Sequence, residues 1–358
     1  MKSNIPQHSN LEYLYPLRVF ATILVMLTHV VSNPYMFNKD FFLLMNAFSR
    51  VAVPIFMMIT GVLFLSRSEF NIKMRVSRIV ISLFVWTFLY VFMHKYIWFP
   101  LHLSGNVYGL RKLVVDIFFH ESNIALHFWY LYALAGIYLV MPFLQMISKN
   151  SSQKQLLYGL ILWMIFTVGW HTLDTFREFD FYIPSKMLVS VPIFAGFTGY
   201  LFLGHYLQIY KPILHHKKEL WGGLLGYVMI SFVMFWRIRM QTSGHPSYTS
   251  FGNTTIYLLL QAIAFFYFIR GLNVVISSNT KSHAVFKKLS SLSFVAFLVH
   301  AMVITVNHNL LIKFALYKDI GMNGQRMILW ISVISFSYLI SYIINKLPKP
   351  IATLLGAS

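Results

Sequence analysis

The sequence predicts an all-α fold of about ten transmembrane helices with both termini cytoplasmic. Two observations carry that prediction. Of 358 residues, 58% are hydrophobic and 11% charged, whereas soluble domains run about 45–50% apolar and about 25% charged. Apolar runs recur along the whole chain, each long enough to cross a hydrocarbon core of about 30 Å as a helix. Lipid admits only helices or closed barrels, and the ten-residue alternation of barrel strands does not recur.

Taken in order, the predicted spans are 13–34, 41–65, 78–99, 125–147, 156–171, 187–208, 220–240, 254–271, 290–312 and 327–346. The first is too long, and too closely followed by others, for a cleaved leader, and it is expected to be retained. No linker, low-complexity block or internal repeat interrupts the pattern, so one membrane domain is expected over 1–358. Placing the N-terminus inside puts Arg67, Lys73, Arg75, Arg78, Lys217, Lys218, Arg270, Lys287 and Lys288 in cytoplasmic segments, as the distribution of basic residues around spans requires. Most acids, including Asp40, Asp116, Glu121, Glu178 and Asp319, then fall on the opposite side.

The formal net charge of +19 invites a nucleic-acid reading. Here the cations sit in short loops between apolar spans, where anionic headgroups account for them, so nucleic-acid binding is excluded and membrane lipids are the expected partners. The chain has no Cys. It therefore has no thiol nucleophile, no thiolate metal ligand and no disulfide, and no metal-ligand spacing stands out.

Ionisable residues within spans are costly, about 3 kcal/mol each on insertion scales, and are functional candidates. The first span carries Arg18 and His29, eleven residues apart. That spacing is close to three helical turns, so the two share a face about 16 Å apart along the axis. Arg18 reads either as a snorkelling interfacial residue or as a functional cation. His29 reads either as a packed neutral imidazole or as a general base. Arg75 and Arg78 are one turn apart if the third helix begins near them, and with Lys73 they suit phosphate oxygens; the competing reading is plain positive-inside topology. Arg50 opens the second span, where it contacts substrate, snorkels or pairs with Asp40. His127 and Trp129 lie at the outer entry of the fourth span, as interfacial anchors or as a sugar-stacking surface. His300 in the ninth span orients His29, lines an acceptor path or simply packs.

Several segments in order resemble the acyltransferase-3 family of ten-helix inner-membrane O-acyltransferases. They are Arg18 with His29; Ser49-Arg50-Val51-Ala52-Val53-Pro54 through Thr60-Gly61; Arg75 with Arg78; His127-Phe128-Trp129-Tyr130-Leu131; and Ser291-Leu292-Ser293-Phe294 followed by Leu298-Val299-His300. The likeness is greatest to stand-alone members that acetylate surface glycans. Thr60 stands where the family usually has Ser, keeping the hydroxyl, and Val19 follows Arg18 where a small residue is common. The resemblance implies catalysis by His29 and Arg18, and a cytoplasmic acyl-CoA donor, acetyl-CoA above all, held by Lys73, Arg75 and Arg78. It also implies a surface polysaccharide or lipid-linked glycan as acceptor, with Arg50, Thr60, His127, Trp129 and His300 as acceptor-side candidates. The alternative class is a secondary transporter or glycan flippase, which shares the helix count and the intramembrane cations.

Overall fold

The computed structural model describes residues 11–31, 39–67, 70–98, 123–174, 196–211, 215–241 and 252–357. The regular elements among them are helical, without a strand, as backbone groups in hydrocarbon demand. Among the described residues, eight helical stretches are long and apolar enough to cross a membrane, and a ninth apolar helix, Leu14–Val30, is shorter. The chain is thus a multi-pass membrane protein by length and composition of its helices.

Helix α1 is Leu14–Val30. The second predicted span is two helices, α2 (Lys39–Ser49) and α3 (Ala52–Phe64), separated by a turn at Arg50–Val51. Helix α4 (Ile72–Met93) starts six residues before the predicted 78, because the Asn71 side chain accepts the Met74 amide at 2.9 Å and caps it. It runs on into a π-helical turn, His94–Trp98. A 3-10 segment, Asn123–Phe128, leads into α5 (Trp129–Asn150), which contains Pro142. Helix α6 (Gln153–Trp163) opens with a reciprocal cap between Ser152 and Gln155. It continues through a π-helical turn, Met164–Gly169, into α7 (Trp170–Asp174). Helix α8 is Thr198–Tyr210; residues 187–195 of the corresponding predicted span, like 32–34 of the first, lie outside the described residues. The remaining helices are α9 (His216–Gln241), α10 (Ile256–Ser277), α11 (Thr280–Leu311), α12 (Ala315–Lys318), α13 (Met322–Ile344) and α14 (Lys349–Leu354).

The chain divides into two compact units, one of Met1–Glu69 with Pro142–Ser290, the other of Phe70–Met141 with Ser291–Ser358. In the first unit α1 packs on α2, α3 and α10, while α3 also packs on α8. The α3–α8 approach is set by glycine. A Cβ on Gly61 would lie 1.9 Å from the Leu201 carbonyl oxygen, and one on Gly204 would lie 2.4 Å from that of Met58. Hydrocarbon offers no solvent-driven force between helices, so such backbone proximity supplies the van der Waals contact that holds them.

Arg270, expected among the cytoplasmic loop cations, is instead 2% exposed. Its Nε and Nη2 donate to Glu219 at 2.9 and 2.6 Å, and its Nη1 donates to the Leu207 and Lys211 carbonyls at 3.3 and 2.8 Å. The guanidinium thereby satisfies carbonyls at the C-terminal end of α8 that have no helical partner, and pins them to α9 and α10.

In the second unit Tyr90 of α4 is fully buried and its hydroxyl donates to the Leu298 carbonyl at 3.0 Å. Ser341 of α13 donates to the Leu292 carbonyl at 2.7 Å, and the Ser293 and Tyr338 hydroxyls are 3.0 Å apart. These bonds satisfy hydroxyls that would otherwise be costly to bury. They tie α11 to α4 and α13.

Candidate functional site

Arg18 and His29 both lie within α1, and both are half-buried. The stripe between them, Thr22 and Val25, is buried at 0% and 6% exposure, so the shared face turns inward. The Thr22 hydroxyl donates to the Arg18 carbonyl at 2.9 Å, which occupies a polar group that would otherwise stand in the stripe. His29 sits in the last turn of α1. The residue types and their common face suit a base and a cation working along one wall.

The end of α1 that carries His29 is held by a residue that sequence reasoning missed. Asn46 of α2 is fully buried, and its Nδ2 donates to the Val31 carbonyl at 3.3 Å and to the Phe42 carbonyl at 3.0 Å. Its Oδ1 accepts from Arg50 Nη2 at 3.2 Å. Arg50 thus reaches the His29 end of α1 through one amide. Asp40 accepts from Arg239 Nε at 3.0 Å, with both side chains nearly half exposed. A lone Asn in an apolar run was the available signal, since an amide at membrane depth needs partners.

Thr60 is buried on α3 and its hydroxyl donates to the Phe56 carbonyl of its own helix at 2.9 Å. A second buried polar cluster lies at the C-terminal end of α3. His205 of α8 is 4% exposed, with Ser148 Oγ 2.7 Å from its Nε2 and Ser66 Oγ 3.3 Å from its Nδ1. A neutral imidazole has one donor and one acceptor nitrogen, so one serine donates and the other accepts. Gln145 adds a bond to the Phe64 carbonyl at 2.7 Å. Beside this cluster, the C-terminal half of α5 with α6 and α8 forms an apolar cleft of about 110 Å³, lined by Leu144, Ile147, Gly159, Trp163 and Phe202 among others. None of the predicted site residues lines it.

The second unit holds the other candidates. Lys73, Arg75 and Arg78 all fall in the first two turns of α4, so the helix does begin where one-turn spacing needs it. Lys73 is exposed, Arg75 and Arg78 half-buried. Three cations at a helix N-terminus add their charge to the positive end of the backbone dipole, an arrangement that favours phosphate. Arg78 Nη2 donates to the Gly356 carbonyl at 2.9 Å, and its guanidinium carbon lies 5.7 Å from the Phe294 ring centre.

His127 and His300, predicted separately, come together. Their ring centres are 4.6 Å apart, at 2% and 0% exposure. His127 Nε2 lies 3.4 Å from the Leu298 carbonyl that also accepts from Tyr90, and His300 Nδ1 lies 2.5 Å from the Phe297 carbonyl. Trp129 is half-buried against Tyr130. Among the described residues no group of three or more His, Cys, Asp or Glu could hold a metal.

Against known proteins, the model of a family described as an acyltransferase domain matches residues 12–346, nearly the whole chain. Neither a curated protein nor a solved structure matches.

Proposed function

Since the chain belongs to the acyltransferase-3 family, we propose that it is an O-acyltransferase of the bacterial inner membrane, in particular an O-acetyltransferase. It moves the acyl group of cytoplasmic acyl-CoA to a hydroxyl of a surface polysaccharide or lipid-linked glycan. Both termini are cytoplasmic in this reading, which puts the α4 cations on the side where acyl-CoA is made. The observation that carries it is the placement of Arg18 and His29 on one buried-going face of a single helix.

His29 takes the proton of the acceptor hydroxyl as its oxygen attacks the thioester carbonyl, giving a tetrahedral oxyanion. Collapse breaks the carbon–sulfur bond, and the imidazolium returns the proton to the departing thiolate. Arg18 stabilises negative charge at the thioester end or holds the pantetheine arm along α1. Lys73, Arg75 and Arg78 take the donor phosphates, with the two guanidiniums suited to bidentate contacts. The candidates for acceptor contact are Arg50 and Thr60 of the first unit and His127, Trp129 and His300 of the second. The bond from Arg50 to Asn46 favours Arg50 among them, because that amide also holds the end of α1 beside His29.

Purified protein given labelled acetyl-CoA and a lipid-linked glycan acceptor is expected to release CoA and to label the glycan. His29→Ala should lose about 10²–10⁴-fold in that rate, the usual contribution of a positioned general base, while still folding into the membrane. Glycan transport without CoA release would overturn the proposal in favour of a flippase.

A further inference from the structure

We propose that residues 349–357 form part of the donor site, with the Gly356 carbonyl positioning Arg78 for the donor's phosphates. The proposal rests on the assignment of Arg78 to that donor. The geometry begins with how α14 ends. Gly356 has φ +93°, its amide donates to the Thr353 carbonyl at 3.0 Å, and the Ala357 amide donates to the Ala352 carbonyl at 2.8 Å. These paired bonds around a left-handed glycine close the helix in a Schellman turn. The carbonyls of Leu355 and Gly356 are left free of helical partners and both are used by α4. Trp86 Nε1 donates to Leu355 at 3.1 Å, and Arg78 Nη2 donates to Gly356 at 2.9 Å.

The fit is close. A Cβ on Gly356 would lie 3.0 Å from Phe294 Cε1 and 3.2 Å from Leu298 Cδ1, and Ala357 is 5% exposed. Phe294 in turn lies against the Arg78 guanidinium. One N–H of Arg78 on a carbonyl and one face near a ring restrict its rotamers, and the remaining N–H groups stay available for a second acceptor. The choice of acceptor matters. A carboxylate in the Gly356 position would neutralise the cation it orients, whereas a carbonyl orients it and leaves its full charge for an anionic ligand. A guanidinium ordered before the donor arrives loses less side-chain freedom on binding, so the turn acts on donor affinity rather than on the chemical step.

The test uses the full-length protein in detergent or nanodiscs, with donor KM, acceptor KM and kcat measured for Trp86→Phe, Gly356→Val and a chain lacking residues 349–358. Trp86→Phe removes a single N–H, and Gly356→Val puts a β-branched side chain at a positive φ and tight against Phe294 and Leu298. Each is expected to raise donor KM, by about tenfold for the deletion if most of the Arg rotamer freedom returns, while acceptor KM and kcat hold. Arg78→Lys, which keeps the charge but not the fork, should raise donor KM to a similar degree. Two results would overturn the proposal: a donor KM unchanged in the deletion, which makes the turn purely structural, or a donor KM that falls, which makes it a competitor of the donor. Arg78→Ala separates the two layers of the argument. If Arg78→Ala leaves donor KM untouched, the donor assignment itself fails; if it raises KM and the turn variants do not, only the role of the turn fails.

Discussion

At the scale of the residue, Asn46 shows how one amide organises a membrane site. Both its donors and its acceptor are engaged, by the Val31 and Phe42 carbonyls and by Arg50. Removing it takes away the bond that the Asn46 amide gives the Val31 carbonyl, between two buried residues. Asn46→Ala should therefore cost about 1–3 kcal/mol, read as a lower midpoint of thermal unfolding in detergent. Asn46→Asp separates its two tasks, because a carboxylate still accepts from Arg50 but cannot donate to Val31. It is expected to destabilise α1 nearly as much as alanine, and equal stability of Asp and wild type would show that the Val31 bond contributes nothing. His127 and His300 give the complementary case. Each stood out in the sequence, His127 at the outer entry of one span and His300 within another, yet their 4.6 Å approach joins residues 173 positions apart in sequence, and no local pattern encodes such a distance.

At the scale of the element, helix contacts are built from small residues and from buried polar bonds. Gly61 and Gly159 test this as a pair. A methyl at Gly61 would press into the Leu201 backbone, which cannot move aside without separating α3 from α8, whereas a methyl at Gly159 meets nothing within 4 Å. Gly61→Ala should destabilise by about 1–3 kcal/mol as an overpacked contact. Gly159→Ala should be neutral or stabilise by up to about 1 kcal/mol through helix propensity. Retention of monodisperse protein after a heat step reads both, and equal behaviour of the two would refute the close α3–α8 approach. The Arg270–Glu219 pair works at the same scale. It joins three helices at carbonyls that α8 leaves open, which explains why a charge counted as a loop cation is buried.

At the scale of the whole molecule, large apolar side chains such as Phe88, Phe143 and Trp221 remain 65–68% exposed. In water such faces would drive aggregation; across a bilayer they are the lipid-facing surface. The lack of any Cys makes topology directly measurable, since a single introduced thiol is the only one present. Lys217→Cys is expected to resist a membrane-impermeant maleimide in intact spheroplasts and to react after permeabilisation. Lys318→Cys is expected to react before it. The opposite pattern would invert the proposed orientation and with it the side on which Lys73, Arg75 and Arg78 meet a donor.

Composition and local spacing were enough to determine the helical class, most of the spans and the common face of Arg18 and His29, because lipid forces backbone bonds to close within each segment and helical periodicity then assigns faces. The start of α4 was misplaced by six residues because a cap depends on one side chain, Asn71, rather than on the apolar run. The break at Arg50–Val51 was missed because both flanking segments are apolar. Tertiary structure alone decided the rest: Asn46 on the end of α1, His205 between Ser66 and Ser148, Arg270 on Glu219, and the Gly356 carbonyl on Arg78. Each of these is a bond between helices distant in sequence, and its existence depends on how the helices are brought side by side, which no single segment encodes.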